Sequence, residues 1–234
     1  MKRSFALIAA ILVLSLFTKT FAQAPTVANA RTLDTSEALA LKTPDKSQVV
    51  IETNLGTMTM QLYGKAAPKM VAHFKKLVGE GFYNGLKFHR VIPGFMIQGG
   101  DYMSKFPDKS KWGMGRPNEE KIPAEFHADL HHIPGTVAAA RTSDPNSAST
   151  QFYICVGTPS HLDGQYTIFG QLVDGASLAV AKKISEVQRD PSDHPLTDVV
   201  MKRVYLKGPK SAIPTHTTKS GASSKSKTSS ATKK

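Results

Sequence analysis

The sequence predicts a mainly β fold, an antiparallel barrel or sandwich with helices at its ends. Two observations carry that expectation. Short runs of alternating apolar and polar residues recur along the chain between Gly-, Pro- and Asn-containing turns, and only two stretches switch to a helical period. At 234 residues, with both ends poor in core-forming sequence, the middle of the chain is about right for one compact domain.

The first 24 residues carry Lys2-Arg3, an uninterrupted apolar run from Phe5 to Phe17, and the small-residue sites Thr20-Phe21-Ala22 and Ala22-Gln23-Ala24. That is the three-part pattern of a secretory signal peptide, cut after Ala22 in preference to a site before Pro25, and its apolar run is too short to span a bilayer comfortably. It points to a periplasmic or secreted protein. Residues 25–47 are polar and Thr/Ala-rich and read as a linker, in which Thr35 to Leu41 can form a helical turn.

The domain is expected over residues 48–207. Val49-Val50-Ile51 and Thr57 to Tyr63 flank the turn Asn54-Leu55-Gly56, and the alternation of Met58, Met60 and Leu62 marks a half-buried hairpin. Pro68 suits a first helical position; Met70, Val71, Phe74, Leu77 and Val78 then form one stripe before Gly79 and Gly81 stop the helix. His73, beside that stripe, reads as surface packing. Phe88 to Asp101 forms two strands around Pro93-Gly94. Tyr102 to Pro134 is a long Lys-, Gly- and Pro-rich segment. Thr136 to Ala140 and Gln151 to Val156 are strands flanking a turn-forming stretch from Thr142 to Ser149. Tyr166 to Leu172 is a further strand, Ala176 to Ile184 a short helix, and Val199 to Leu206 a closing strand.

Charge and reactive residues exclude several function classes. The formal net charge of +12 is concentrated at the ends: setting aside Lys2, Arg3, Lys19 and the seven lysines from Lys207 onward leaves twenty basic against eighteen acidic residues. A nucleic-acid-binding domain is not implied. Residues 208–234, rich in Lys, Ser and Thr, bury too little to order themselves and read as a disordered basic tail able to contact anionic envelope surfaces. Cys155, the only cysteine, sits in an apolar run and reads as a buried hydrophobe. His127 and His131 would share a face if helical, with His132, Glu125 and Asp129 nearby. Neighbouring prolines and the lack of a third well-spaced ligand favour a solvated loop over a zinc site. No metal and no cofactor are expected.

Chemistry concentrates in Phe88 to Asp101. Arg90 and Gln98 offer planar multi-donor side chains beside the soft apolar Phe95 and Met96, a combination suited to a neutral ligand with an apolar ring and a polar amide. This run, FHRVIPGFMIQGGD, resembles the signature of the cyclophilins, the peptidyl-prolyl cis-trans isomerases. The likeness continues through GTVAAARTSDPNSASTQFYI, whose ARTSDP portion resembles the bacterial branch, and through HLDGQYTIFGQLVDG, covering roughly Val49 to Leu206. It implies a closed eight-stranded antiparallel β-barrel capped by two α-helices.

The resemblance also implies roles. Arg90 matches the catalytic arginine. Phe95, Met96, Gln98 and Leu162 match pocket residues, and Ala140 and Gln151 match contacts to the peptide. Tyr153 stands where the family usually has Phe, adding a hydroxyl to the pocket, Arg141 where it often has Asn, and Tyr166 where it frequently has His. His161 stands where the branch most sensitive to cyclosporin has Trp, so weak cyclosporin binding is expected. An X-Pro bond resists rotation by about 18–20 kcal/mol of amide resonance, and twisting it gives the proline nitrogen a lone pair that accepts a hydrogen bond. A donor aimed there, as Arg90 could be, binds the transition state selectively, contributing about 3 kcal/mol in a dry site. Gln98 would orient that arginine. The implied partners are proline-containing unfolded or partly folded polypeptides, acted on by a monomer. The rival reading is a non-catalytic proline-peptide binding or chaperone module; the cation at Arg90, which simple proline binding does not need, favours catalysis.

Overall fold

The computed structural model describes residues 35–45 and 47–208; the expected signal peptide and residues 209–234 of the basic tail lie outside them. Eight strands form one antiparallel sheet: β1 (Gln48–Thr53), β2 (Thr57–Leu62), β3 (Arg90–Ile92), β4 (Met96–Gly99), β5 (Thr136–Ala139), β6 (Phe152–Cys155), β7 (Ile168–Leu172) and β8 (Met201–Lys207). Three α-helices accompany it among the described residues: α1 (Thr35–Leu41), α2 (Pro68–Gly79) and α3 (Gly175–Ser185).

The strand order is β3-β4-β6-β5-β7-β2-β1-β8, so the ladder is open, with β3 and β8 at its ends. This corrects the closed barrel expected from the sequence. The strands curl into a half-barrel, and β3 is only three residues long, too short to pair along the seven residues of β8. The segment before β3 meets the start of β8 instead, through a single bridge between Lys87 and Val200 and hydrogen bonds from Phe88 N to Val199 O and Met201 N to Leu86 O.

Each helix has a local cause. Pro68 opens α2, and the carboxylate of Glu125 accepts the amides of Lys69 and Met70, both at 3.0 Å, supplying partners that the first turn cannot find within the helix. The buried stripe of α2 drives Phe74 into a ring cluster with Tyr83, Phe152 and Phe169. His73 is buried with that stripe at 8% exposure rather than lying on the surface, because the loop bearing Glu120 covers it. Asp174 caps α3 by accepting Ser177 N, and Ser177 Oγ in turn accepts Thr59 N from β2. Residues 35–45 are tied to the domain: Leu41 packs on the outer apolar cluster, Asp45 N donates to Leu62 O, and the Asp45 carboxylate meets Lys75 at 3.0 Å.

Period-2 alternation sorts the sheet residues between two apolar clusters on opposite faces. Ile97, Val137, Phe152, Ile154 and Phe169 join the main core with α2, whereas Met96, Ala138, Tyr153, Cys155 and Ile168 face outward into a second cluster. The functional surface is built on this second face.

Candidate active site

Cross-strand register places the key side chains in one row. Arg90 on β3 is paired with Gln98 on β4, Gln98 with Tyr153 on β6, Tyr153 with Ala138 on β5, and Ala138 with Ile168 on β7. A neighbouring row holds Ile92, Met96 and Cys155. Residues more than sixty positions apart in sequence thus share one face because antiparallel pairing aligns them.

The β3–β4 hairpin presents its tip through Pro93-Gly94. Phe95 N donates to Ile92 O, and Gly94 adopts φ +71°, as the third position of a type II turn requires. At the other end Gly100 has φ +85°, and an added Cβ would stand 2.5 Å from Thr150 O. Only glycine lets the hairpin leave there against the backbone of Thr150 and Gln151. Buried Asp101 then accepts the amides of Met103, Gly113 and Gly115, which fixes the 113–115 loop beside the hairpin. Burial raises the Asp101 carboxyl above its ordinary range despite those hydrogen bonds.

Nine of the eleven residues singled out in the sequence line one cleft of about 130 Å³: Arg90, Phe95, Met96, Gln98, Ala140, Arg141, Tyr153, Leu162 and Tyr166. The other two sit at its margins. Gln151 lies in an adjoining depression with Gly113 and Gly115, accepting from Gln98 Nε2 at 3.0 Å and donating to Gly113 O at 3.0 Å. His161, exposed on the short turn Ser160–Leu162, places its ring 6.1 Å from Phe95. Met96 and Tyr153 are buried, while Arg90 and Gln98 remain half-buried. The cleft therefore offers an apolar floor beside a cation and an amide.

Two expectations need revision. The Tyr153 hydroxyl does not enter the cleft: it points away and meets His132 Nε2 at 2.8 Å, leaving the ring face as wall. Gln98, although opposite Arg90 in register, gives its amide to Gln151; the group braced against Arg90 is Asp193, whose Oδ2 lies 3.6 Å from Arg90 Nε. Asp193 has φ +65°, its carbonyl accepts Val91 N, and its carboxylate also meets Arg189 Nε at 3.0 Å. Nothing in the turn Asp190-Pro191-Ser192-Asp193 signals a partner a hundred residues earlier. Arg141 lines the cleft beside Tyr166: its Nε donates to Gln165 O and its guanidinium lies 4.5 Å over the Tyr166 ring.

The histidine-rich loop is not helical, so His127 and His131 do not share a helix face. His127 Nε2 meets Ala66 O, whereas His131 and His132 both engage Asp163. Among the described residues no group of three or more His, Cys, Asp or Glu side chains is arranged to hold a metal ion. Cys155 is buried and burial pushes its thiol up to about 12, the state of an inert core residue.

Comparison with known proteins agrees with this geometry. Residues 48–206 match the family model described as cyclophilin type peptidyl-prolyl cis-trans isomerase/CLD. The peptidyl-prolyl cis-trans isomerase ppi1 of Schizosaccharomyces pombe is 38% identical over 161 residues, covering 68% of this chain and 99% of its own. A peptidyl-prolyl cis-trans isomerase of Synechococcus elongatus is 42% identical over 152 residues, covering 65% and 98%. A crystal structure of a cyclophilin type isomerase from Cryptosporidium parvum superposes with a TM-score of 0.62 at 28% identity, covering 69% of this chain and 98% of that one. With the hairpin, the cleft and these relatives in agreement, the chain belongs to the cyclophilin-type peptidyl-prolyl cis-trans isomerases and is an enzyme that isomerises X-Pro peptide bonds.

Proposed function

We propose that the cleft takes the proline of an unfolded or partly folded polypeptide, its ring against Phe95, Met96, Tyr153 and Leu162, while Arg90 donates a hydrogen bond to the prolyl nitrogen as the bond twists. One observation carries this reading: Arg90 lines the same 130 Å³ cleft as the four apolar side chains, with the Asp193 carboxylate 3.6 Å from its Nε. The prolyl nitrogen has no available lone pair when planar and gains one when twisted, so this contact strengthens in the transition state. Peptide groups on either side of the proline have Gln98, Gln151 and the backbone of Ala140 and Arg141 within reach. Neither metal nor covalent intermediate enters this scheme. Support for a proline ligand comes also from the C. parvum relative, for which a crystal structure in the presence of the dipeptide Ala-Pro exists.

The leader Met1 to Ala24 supports a periplasmic or secreted location, and the stretch Arg141 to Pro145 supports kinship with the bacterial branch; with no further apolar helix on offer for a partner, the folding catalyst acts as a monomer. The lysine-rich tail supports attraction to anionic envelope surfaces, testable as a salt-sensitive interaction lost on deleting residues 208–234 while isomerase activity persists.

The test is isomerisation of a short X-Pro peptide by the wild type and by Arg90→Ala. A fall in kcat/KM of about a hundredfold with an unchanged circular dichroism spectrum is expected. Wild-type rates in the variant would remove Arg90 from the mechanism and favour proline binding by the apolar wall alone. Cyclosporin should bind weakly, because His161 lacks the large indole face and its N–H donor; a nanomolar dissociation constant by calorimetry would refute that expectation.

A further inference from the structure

The wall of the cleft continues inward as a chain of three polar side chains. Tyr153, 5% exposed, meets His132 Nε2 through its hydroxyl at 2.8 Å; His132, fully buried, meets Asp163 Oδ1 through Nδ1 at 2.7 Å. Asp163 Oδ1 also accepts the backbone amide of His132 at 2.8 Å, and Oδ2 meets His131 Nδ1 at 2.9 Å. A carboxylate can only accept, which assigns the His132 proton to Nδ1 and leaves Nε2 to accept the Tyr153 O–H. The rings of His132 and Tyr153 lie nearly parallel, 11° apart, and Tyr166 stands edge-on to both.

We infer that His132 is a positioning residue for the isomerase cleft: held by Asp163, it takes the Tyr153 hydroxyl and so fixes the ring that forms the proline-facing wall. The inference rests on the reading that the cleft holds proline. Its physical basis is the placement of the two ends of the chain. Tyr153 is cleft wall, and Asp163 directly follows Leu162, another wall residue on a different loop. His132 therefore ties two walls that the sheet alone does not connect, because Leu162 belongs to no strand. It also explains how tyrosine can stand beside an apolar ligand: its hydroxyl is satisfied behind the wall, so the cleft is not made more polar.

The surroundings keep the chain in one protonation state near neutrality. Burial lowers the affinity of His132 for a second proton, outweighing the pull of Asp163; His161 and His131 act in the same direction as burial. Partial burial acts to raise the Asp163 carboxyl, but hydrogen bonds from the His132 amide, the His132 ring and His131 outweigh it and hold the group below the ordinary carboxylate range. Burial, then Cys155 and Tyr166, raises the Tyr153 phenol, with Arg141 opposing. The neutral imidazole and neutral phenol are the forms that fit together.

The experiment compares kcat and KM separately for wild type, His132→Leu, Tyr153→Phe and the double variant, together with 15N spectra of the backbone amides and histidine rings during titration with Ala-Pro peptide. His132→Leu should raise KM about tenfold with kcat within about twofold, because the unpartnered hydroxyl turns the wall out of place. The double variant, with no hydroxyl left to satisfy, should recover most of that loss. In the wild type, Nδ1 should appear protonated and Nε2 unprotonated, and both should shift as peptide binds. A His132→Leu variant with wild-type KM, or a loss that the double variant leaves intact, would overturn the inference. If His132→Leu does not fold, the peptide titration decides: shifts at Phe95 and Arg90 without any at His132 refute the positioning role alone. No shift anywhere in the cleft removes the proline reading and this inference together.

Discussion

His89 should make the protein lose stability in acid, and the amount follows from its surroundings. The ring lies between Phe88 and Arg90 at the entrance to β3, 2% exposed, and neither nitrogen meets a hydrogen-bond partner. Burial, then repulsion from His194 and Arg90, lowers its pKa from the ordinary value to about 3. Below about pH 6.5 the unfolded chain takes up a proton that the folded ring refuses. The stability present above that pH is therefore lost as pH falls toward 3, at up to about 1.4 kcal/mol per pH unit. Between pH 6.5 and 4 this single group removes about 3 kcal/mol, a large part of the roughly 5–15 kcal/mol typical of a domain. His132 and Asp163, both lowered, act in the same direction, while Asp101, raised by burial, opposes them. Urea unfolding followed by circular dichroism at pH 7, 6, 5 and 4 measures the sum. His89→Leu removes the titrating ring; its stability at pH 7 will differ through packing, so the slope with pH is the readout. The variant should lose about 3 kcal/mol less than the wild type over this range. An identical slope in the two proteins would refute the argument.

Two further outcomes follow from backbone geometry. Asp193→Gly removes the carboxylate beside Arg90 but relieves a left-handed residue, so stability should stay within about 1 kcal/mol while kcat/KM falls about threefold to tenfold; unchanged kinetics would show that Arg90 needs no brace. Gly100→Ala should destabilise by more than about 2 kcal/mol, because its Cβ would press on Thr150 O at φ +85°, and thermal unfolding at wild-type temperature would contradict the close approach.

Local signals in the sequence carried most of the elements. Alternation in β1 and β2, Pro68 with its stripe in α2, and Pro93-Gly94 between β3 and β4 each have a local cause that periodicity or turn chemistry reveals. Edges were less legible. The strand expected from Tyr166 begins at Ile168, because Tyr166 packs against Tyr153 in the cleft instead of extending the ladder. Closure of the barrel was not legible at all, since it depends on how far β3 can pair with a strand more than a hundred residues later. The apolar cleft residues became recognisable through the family motif, for periodicity alone makes Met96, Tyr153 and Leu162 ordinary core. Asp193, His132 and Asp163 escaped because each acts through a partner distant in sequence, and no spacing along one segment encodes that contact.

The open ends of the sheet bear on what the enzyme must avoid. An enzyme that acts on X-Pro bonds meets extended peptide backbones able to pair with a strand, and a bare β-edge would capture them or another copy of itself. At β3 that opportunity is filled from within: Val91 N is occupied by Asp193 O, His89 O by His194 Nδ1, and Phe88 N by Val199 O. At β8, Lys202, Arg203 and Lys207 project charge along an edge whose start is already bonded to Leu86 and Gly85. The half-barrel thus denies the peptides it binds the sticky contact that would turn an isomerase into a seed for aggregation.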